Sequence, residues 1–496
     1  MEGRRTLSEG AHKVDGAAAV ADALARPAQR NFNEAAHKLG HWPIRPEASR
    51  ERTPSAAMRA ATDDERDVVA HAGKAVLALA ALGIVYGDIG TSPLYTEQVI
   101  FTAHRNAAHA DVAGVYGIAS LIFWTLMIVV SIKYAGFIMR AHNRGDGGIM
   151  ALAALIQRKR IGRTFILVTL GVFGAGLFFG DGMITPAISV TSAVGGLNVV
   201  SPSLSHLVVP LSLSILIGLF AMQRYGTGTV GWLFGPVIGL YFAVIAGFGL
   251  RELIPHPGVL QGLSPVWGAR FFLDHGVHAW LTLGGVVLCC TGAEALYADR
   301  GHFGSIPIRV TWFAVVVPAV MISYLGQAAL ILAHPRSVNS PSFNPFFQIV
   351  PHSLLVPLVV LATLATIIAS QAAITGSFSV AKQAVQLGFL PRLRIIHTSN
   401  LEGQIYVPVI NWFLCAGVAT LVLIFQNSNR LGDIYGVAVT GTFILNTILF
   451  IAVARAIWRT PRWRLAILGT LFLFVEVAFF TSNLTKIADG AYLSLA

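Results

Sequence analysis

The segment Gly83-Ile-Val-Tyr-Gly-Asp-Ile-Gly-Thr-Ser-Pro-Leu-Tyr95 places one aspartate among three glycines and a proline, inside a long apolar stretch. Glycine and proline this close together disfavour a continuous helix. An interrupted helix has free backbone carbonyl groups that can coordinate a cation, and Asp88 adds negative charge. Thr91 and Ser92 add hydroxyl oxygens, and Tyr95 shares a face with Asp88 if the second half is helical. The alternative is a kinked, closely packed helix, which leaves the aspartate unexplained.

The composition around this segment is that of a membrane protein. Hydrophobic residues make up 55% of the 496 positions and charged residues 12%, whereas a soluble domain carries about 25% charged residues. We therefore expect a lipid bilayer around the chain. Apolar stretches close to the ~20 residues that cross a bilayer as a helix recur along it. We number eleven of them as spans 1 to 11: Val76–Tyr95, Gly117–Met139, Phe165–Ile184, Leu207–Met222, Val230–Leu250, Trp280–Tyr297, Val310–Leu332, Val356–Ala373, Val407–Phe425, Ile434–Val453 and Leu465–Leu484.

These stretches lack the alternation of strands, so the predicted fold class is an all-α polytopic membrane protein. Residues 71–496 form the predicted transmembrane domain. Residues 1–70 are rich in Ala, Arg, Glu and Pro without apolar periodicity, which predicts a disordered, basic tail.

The net charge of +11 is explained by the connections between spans and does not indicate nucleic acid. Basic residues concentrate in the even-numbered connections; the second alone carries Arg140, Arg144, Arg158, Lys159, Arg160 and Arg163. The odd-numbered connections carry only Arg105, Arg251, Arg270, Arg336 and Arg430. Cytoplasmic loops are enriched in Lys and Arg. We therefore expect the even connections and the N-terminus in the cytoplasm of a bacterium, with the chain in its cytoplasmic (inner) membrane.

Three further acidic residues lie inside or at the ends of spans, where an ionised group costs at least ~2.5–3.5 kcal/mol. Asp181 and Thr185 are four residues apart, so they share a helix face, and Pro186 predicts that the helix ends or bends just beyond. Thr291 and Glu294 also share a face, beside a second predicted interruption at Gly292. Asp181 could instead be interfacial, and Glu294 could snorkel to the cytoplasmic end. Glu476 stands among phenylalanines, which favours a structural hydrogen bond over an ion site.

The two interruptions lie in spans 1 and 6, five spans apart. Interrupted helices at equivalent positions of two halves are typical of transporters built as inverted repeats, with the site at the bilayer midplane. An odd repeat unit of five places its two copies in opposite orientations, as the basic connections also require. The sequence therefore predicts a five-plus-five inverted-repeat bundle with broken helices 1 and 6.

Carboxylate, hydroxyl and carbonyl oxygens suit an alkali cation, whereas zinc or copper would need clustered Cys or His. A carboxylate beside such a site can also hold a proton, because burial disfavours its charged form. No metalloprotease motif, nucleophile elbow or phosphate loop occurs, so we expect no enzyme and no cofactor beyond transported ions. The residues thus indicate a cation transporter that is open to proton coupling, without choosing potassium over sodium.

Several motifs resemble those of the KUP/HAK/KT potassium transporters, in order from Ala75 to Gly490. They are Gly87–Tyr95, Ser120-Leu-Ile-Phe-Trp-Thr-Leu126, Ile184-Thr-Pro-Ala-Ile-Ser-Val190, Glu294-Ala-Leu-Tyr-Ala-Asp299 with Gly301-His-Phe-Gly304, and Ile368-Ala-Ser-Gln-Ala372. The resemblance implies an amino-acid-transporter-like (LeuT-type) fold and potassium uptake, proposed in that family to be proton symport. A homodimer is left open.

The same resemblance implies roles for individual residues. The matching positions make Asp88, Tyr95, Asp181, Thr185 and Thr291 potassium contacts and Glu294 the proton-coupling carboxylate. The family continues into a final span and a cytosolic domain, and we expect both to be missing after Gly490-Ala-Tyr-Leu-Ser-Leu495. Two other functions stay open: a cation-coupled transporter of an organic solute with the same fold, and a non-transporting potassium sensor.

Overall fold

The computed structural model describes residues 74–102, 108–143, 146–159, 161, 164–226, 231–298, 304–340, 342–397 and 405–486. The tail predicted for residues 1–70 lies outside these ranges. Within them, ten helices are long and apolar enough to cross a membrane. They match predicted spans 2 to 11 in order: Val112–Arg140, Thr164–Val200, Pro202–Tyr225, Leu233–Leu253, Val277–Ala298, Ser305–Ala333, His352–Gln386, Pro408–Phe425, Ser428–Ala456 and Arg462–Leu484. The all-helical, membrane-spanning class is therefore confirmed.

Span 1 is absent from that set because it is divided into short pieces. Helices cover Lys74–Val85, Gly87–Thr91 and Thr96–Thr102, with a 3-10 turn at Ser92–Leu94. Span 6 is divided as well, into Val277–Val286, the 3-10 turn Val287–Cys290 and Ala295–Ala298. Both predicted interruptions are thus present in the structure.

The other elements are less broken. Span 2 is α-helical over Val112–Thr125 and π-helical over Leu126–Phe137, and span 7 has a π-helical turn at Trp312–Val316 between Ser305–Thr311 and Val317–Ala333. The α-helices of spans 3, 4 and 5 are Thr164–Gly195, Val208–Met222 and Gly231–Leu253. Shorter helices in the connections are Ile149–Lys159, Leu197–Val200, Pro265–His275 and Pro345–Gln348, with 3-10 turns at Ile138–Arg140, Pro202–Leu207, Gln223–Tyr225, Pro257–Leu263 and Pro335–Asn339. Strands Ile396–His397 and Ile405–Tyr406 pair antiparallel between spans 8 and 9.

At Pro186 the sequence predicts that the helix of span 3 ends or bends, and it does not end there but continues to Gly195. Proline removes one hydrogen bond, here to the carbonyl group of Gly182, and its ring crowds that carbonyl. Helices within membranes tolerate this because neighbouring helices hold both halves in place. Pro186 is itself buried, so packing overrides the local signal.

The spans differ in how much of their surface the protein covers. In span 6, 83% of the membrane-length window is buried, and in span 10, 78%, against 28% in span 4. Spans 6 and 10 are therefore central and span 4 is peripheral. Large apolar side chains such as Trp412, Phe413 and Phe474 are exposed, as expected for side chains that face lipid tails.

Spans 5 and 7 cross where two glycines meet. A Cβ atom at Gly326 would lie 2.5 Å from the Cα atom of Gly249, and one at Gly249 would overlap the backbone of Ile322. Small residues at such crossings let two membrane helices approach to backbone contact. Gly247 lies two residues from Gly249 in span 5, yet a Cβ atom there would meet no other atom within 4 Å.

This pair of glycines gives a matched test of the packing. We expect Gly249→Ala to lower the thermal unfolding midpoint of the detergent-solubilised protein, because its methyl group displaces the backbone of span 7. Gly247→Ala should leave the midpoint unchanged or raise it, since alanine is favoured over glycine in a helix by about 1 kcal/mol. Equal midpoints for the two variants would show that this crossing is not as close as described.

Candidate cation site

The interruption of span 1 surrounds Asp88. Tyr86 leaves helical geometry at φ −107° and ψ 2°, and the next helix runs only from Gly87 to Thr91. Pro93, which has no backbone N–H group, lies in the following 3-10 turn. Asp88 is 5% exposed. The sequence therefore bends at the expected residues and holds a carboxyl group within the protein.

Two of the carbonyl groups expected to be free are already in use. The hydroxyl of Thr91 donates to the carbonyl oxygen of Asp88 at 2.9 Å, and that of Ser92 donates to Ile89 at 2.6 Å. Thr91 and Ser92 therefore satisfy the backbone of the interruption. The carboxylate of Asp88, rather than these carbonyl groups, is the main negative feature of this segment.

The interruption of span 6 depends on Gly292. Thr291 is extended, at φ −53° and ψ 141°, and Gly292 has φ +75°. Residues with side chains rarely adopt that conformation. A Cβ atom on Gly292 would also lie 2.6 Å from Oδ2 of Asp88. Glycine thus serves two purposes here, the turn itself and the close approach of span 6 to the aspartate of span 1.

The two interruptions are also joined by side chains. The hydroxyl groups of Tyr95 and Thr291 are hydrogen-bonded at 2.9 Å, and both residues are fully buried. Spans 1 and 6, whose interruptions lie far apart in sequence, therefore meet through Asp88 with Gly292 and through Tyr95 with Thr291.

Span 3 brings the second aspartate to the same region. Thr185 donates its hydroxyl hydrogen to Oδ1 of Asp181 at 2.8 Å, as the four-residue spacing predicts. The hydroxyl of Tyr435, from span 10, lies 3.4 Å from the hydroxyl oxygen of Thr185. Asp181 is thus half-buried and has a hydrogen-bond partner within the protein.

Asp88 and Asp181 line one small cavity. Its volume is about 20 Å³, and its other walls include Gly292 and the small residues Ala298, Ala372 and Gly376. This is room for one water-sized particle. Oδ1 of Asp88 is buried and has no hydrogen-bond partner among the described residues, and no basic side chain of the described chain lines the cavity. A buried carboxylate in this state requires a cation or a proton.

Glu294 lies beside, not in, this central cavity. It is 6% exposed, and the amide nitrogen of Asn446 in span 10 lies 3.4 Å from its Oε1. The same amide nitrogen donates to the hydroxyl of Tyr134 in span 2 at 3.1 Å. Five of the six predicted site residues are thus gathered around the two interruptions, while Glu294 belongs to a neighbouring polar cluster.

One pair of buried charges was missed from the sequence. Nζ of Lys133 lies 2.5 Å from Oε1 of Glu476, and both side chains are 1% exposed. The carbonyl oxygen of Phe443 accepts from Lys133 at 3.1 Å, and Thr447 donates to Oε1 of Glu476 at 2.9 Å. Glu476 thus has hydrogen-bond donors and an ion-pair partner. The signal in the sequence for this ion pair is Lys133 itself, a basic residue inside predicted span 2.

A family profile described as the K+ potassium transporter integral membrane domain matches residues 75–496. The probable potassium transport system protein Kup of Azoarcus sp. (strain BH72) is 52% identical over 428 residues, covering 85% of this chain and 66% of the relative. The low affinity potassium transport system protein Kup of Citrobacter koseri is 49% identical over 427 residues, covering 84% and 67%. The chain thus spans about two thirds of the length of these relatives.

Solved structures give a weaker similarity. A mutant of the manganese transporter of Eremococcus coleocola aligns with 89% of this chain and 90% of its own, at 14% sequence identity and a TM-score of 0.46. At that score the similarity carries no conclusion about the arrangement of the spans.

The buried pair predicts a specific pattern of stability. Lys133→Met should lower the free energy of unfolding by about 3–5 kcal/mol, because it leaves Glu476 charged and unpaired in the interior. The double variant Lys133→Met/Glu476→Leu should recover most of that loss, since it removes both charges. Unfolding in detergent followed by tryptophan fluorescence measures both variants.

The control is the partly exposed pair of Lys486 with Asp433, separated by 2.7 Å. Lys486→Met should cost no more than about 1 kcal/mol, as is usual for exposed pairs. A double variant at Lys133 and Glu476 as unstable as Lys133→Met alone would contradict the charge argument.

Proposed function

Because this chain belongs to the K+ potassium transporter family, we propose that it takes up potassium ions across the bacterial cytoplasmic membrane. One observation carries the proposal. Asp88 lines a water-sized cavity between two interrupted helices, and its buried Oδ1 has no hydrogen-bond partner among the described residues. Members of the family are transporters rather than enzymes, and we assign the chain no catalytic reaction.

The ion would be held by oxygen ligands from three spans. Asp88 and Asp181 supply negative charge, and Tyr95, Thr185 and Thr291 supply hydroxyl oxygens. Such hard, weakly polarisable donors suit alkali and alkaline-earth cations. The hydrogen bond between Tyr95 and Thr291 would be exchanged for contacts with the ion, so that binding and release rearrange the two interruptions together.

The size of the central cavity favours a bare cation over an organic solute. Sites for organic molecules usually have volumes of about 300–1,000 Å³, whereas this cavity has about 20 Å³. The relatives carry the name potassium transport system, which favours transport over a purely sensing role. Potassium transport is therefore the best-supported of the three functions that the sequence left open.

We propose that proton coupling balances the charge of three carboxyl groups. Asp88 and Asp181 line the cavity and Glu294 lies beside it, so one potassium ion leaves negative charge that a proton can neutralise in a medium of low dielectric constant. We assign the coupled proton to Glu294. The amide of Asn446 can donate to an ionised glutamate and accept from a protonated one, and its Oδ1 has no other partner among the described residues. Both states of Glu294 can therefore be hydrogen-bonded.

Alternating access would use the two halves of the bundle. We propose that spans 1–5 and 6–10 form inverted repeats, with the N-terminus and the basic even-numbered connections in the cytoplasm. The support is the position of the interruptions, five spans apart, and the distribution of Arg and Lys. Movement of one half against the other would expose the central cavity to each side in turn.

The first test removes the charge at the centre. Asp88→Asn should reduce rubidium uptake by at least about tenfold, the usual effect of deleting one charged contact, in cells that lack their own potassium uptake systems. Asp111→Asn is the matched control, since Asp111 is exposed and caps span 2 through the N–H group of Gly114 at 2.8 Å, a role that asparagine also fills. Equal uptake by both variants at equal membrane abundance would refute the site.

The second test concerns the proton. Proteoliposomes with a pH-sensitive dye inside should acidify when potassium is added outside, and Glu294→Gln should lower the acidification per rubidium ion taken up, because glutamine cannot carry the proton. Glu252→Gln, near the end of span 5, should keep the wild-type ratio. Rubidium uptake without acidification in the wild type would exclude symport.

A further inference from the structure

A second and larger cavity is lined by residues of spans 1 and 3, both of which also line the first. Its volume is about 160 Å³, with room for several water molecules. We call it the outer cavity and define it by Gln98, Thr102, Ser192, Asn198, Asn344 and Asn429, which all line it. Among the described residues, every polar side chain in its wall is an uncharged hydroxyl or carboxamide group.

The outer cavity is in line with the central one. Asp181, Thr185, Ser192 and Gly195 recur at intervals of four, seven and three residues along the continuous helix of span 3. These intervals place all four on one face. Eleven residues separate Asp181 from Ser192, or about 16 Å at 1.5 Å per residue. One helix face therefore leads from the aspartate of the central cavity to the wall of the outer one.

Span 1 repeats this order. Asp88 lines the central cavity, Tyr95 is hydrogen-bonded to Thr291, and Gln98 and Thr102 line the outer cavity. The pair of Tyr95 and Thr291 therefore lies between the two cavities along the chain.

The outer cavity belongs to the side of the membrane with few basic residues. Its wall includes Thr102 at the end of span 1, Asn198 near the end of span 3, Asn344 between spans 7 and 8, and Asn429 at the start of span 10. All of these lie in or beside odd-numbered connections. The distribution of Arg and Lys assigns those connections to the external side, so the outer cavity is the first that an incoming ion meets.

The wall offers hydroxyl and carboxamide oxygens as possible ligands. The amide nitrogen of Asn344 donates to Gln98 Oε1 at 2.9 Å, and that of Asn429 donates to the hydroxyl of Thr102 at 3.2 Å. Buried oxygens without a hydrogen-bond partner among the described residues belong to four wall residues: Thr191, Ser192, Asn198 and Asn429. These oxygens can contact a cation, and among the described residues no Lys, Arg or His lines the wall to attract an anion, so a cation is favoured as the occupant.

We propose that the outer cavity is a second cation subsite, which holds a monovalent alkali cation with part of its water shell. Its neutral oxygens replace only some of the ion's waters, and its volume accommodates the others. Conduction through several sites requires that each bind weakly enough to release the ion, and a wall without carboxylates among the described residues meets that requirement. The direction of transfer rests on the proposed uptake function, whereas binding in this cavity does not.

The first experiment places a charge at Asn198, which has no part in the central site. Asn198→Asp should lower the half-saturating external rubidium concentration by about fivefold and Asn198→Lys should raise it by about fivefold, as expected for a unit charge within ~4 Å in water. Maximal uptake rates should change much less. Gln261→Glu and Gln261→Lys are the controls, because Gln261 is exposed in the fifth connection and does not line the cavity. Equal effects at both positions, or none at Asn198, would overturn the subsite.

The second experiment detects binding without transport. Cys289, Cys290 and Cys415 are buried, so Ser342→Cys introduces a thiol at the wall of the outer cavity that a charged, membrane-impermeant thiol reagent can modify. Potassium should suppress most of the modification rate in a saturable manner, relative to choline at equal ionic strength.

The same measurement in the Asp88→Asn background separates the two proposals. If potassium still slows modification of the introduced thiol in the Asp88→Asn protein, the bound ion is assigned to the outer cavity. This holds even if the protein shows no uptake. Protection that disappears with Asp88 assigns the ion to the central cavity and overturns the subsite. Absence of protection in the parent Ser342→Cys protein overturns it as well.

Discussion

A carboxylate buried inside a membrane protein must be neutralised or hydrogen-bonded. Asp88 is buried, at 5% exposed, and its Oδ1 has no hydrogen-bond partner among the described residues. The neighbouring residues leave space beside this carboxylate. Span 6 approaches through Gly292, which has no side chain to displace the carboxylate, and small residues leave room for one water-sized particle beside it. The site is therefore complete only with a positive charge in place.

The same constraint explains why the helices are interrupted where they are. At the break in span 6, a Cβ atom on residue 292 would lie 2.6 Å from Oδ2 of Asp88, so the close approach of the two spans requires glycine there. Interrupting a helix exposes backbone groups that lipid cannot satisfy, so the polar groups at the break must be paired within the protein. Thr91 and Ser92 pair with two of them, and Tyr95 pairs with Thr291. Several polar groups at the interruptions are thus paired within the protein, whereas Oδ1 of Asp88 has no partner among the described residues.

The sequence predicted the spans and their interruptions well because hydropathy and the glycines and prolines are local signals. It also predicted the contact of Asp181 with Thr185, which follows from helical spacing alone. It could not predict that Pro186 lies within a continuous helix, because packing from neighbouring spans decides that outcome. Nor could it pair Lys133 with Glu476, since the two residues are more than 340 positions apart and no periodicity connects them.

The contrast between the two kinds of buried charge is informative about mechanism. Lys133 and Glu476 neutralise each other directly, and Phe443 and Thr447 add hydrogen bonds, although Oε2 of Glu476 has no hydrogen-bond partner among the described residues. A charge paired in this way has no need of an ion from solution, and removing either partner is costly. Such a pair suits a fixed support between spans 2, 10 and 11. Asp88 has no such partner among the described residues, so its neutralising charge must come from a particle that can leave again. A transporter needs both arrangements: permanent pairing keeps the scaffold in one geometry, and a cavity-lining carboxylate without a charged partner among the described residues lets the scaffold respond to an ion.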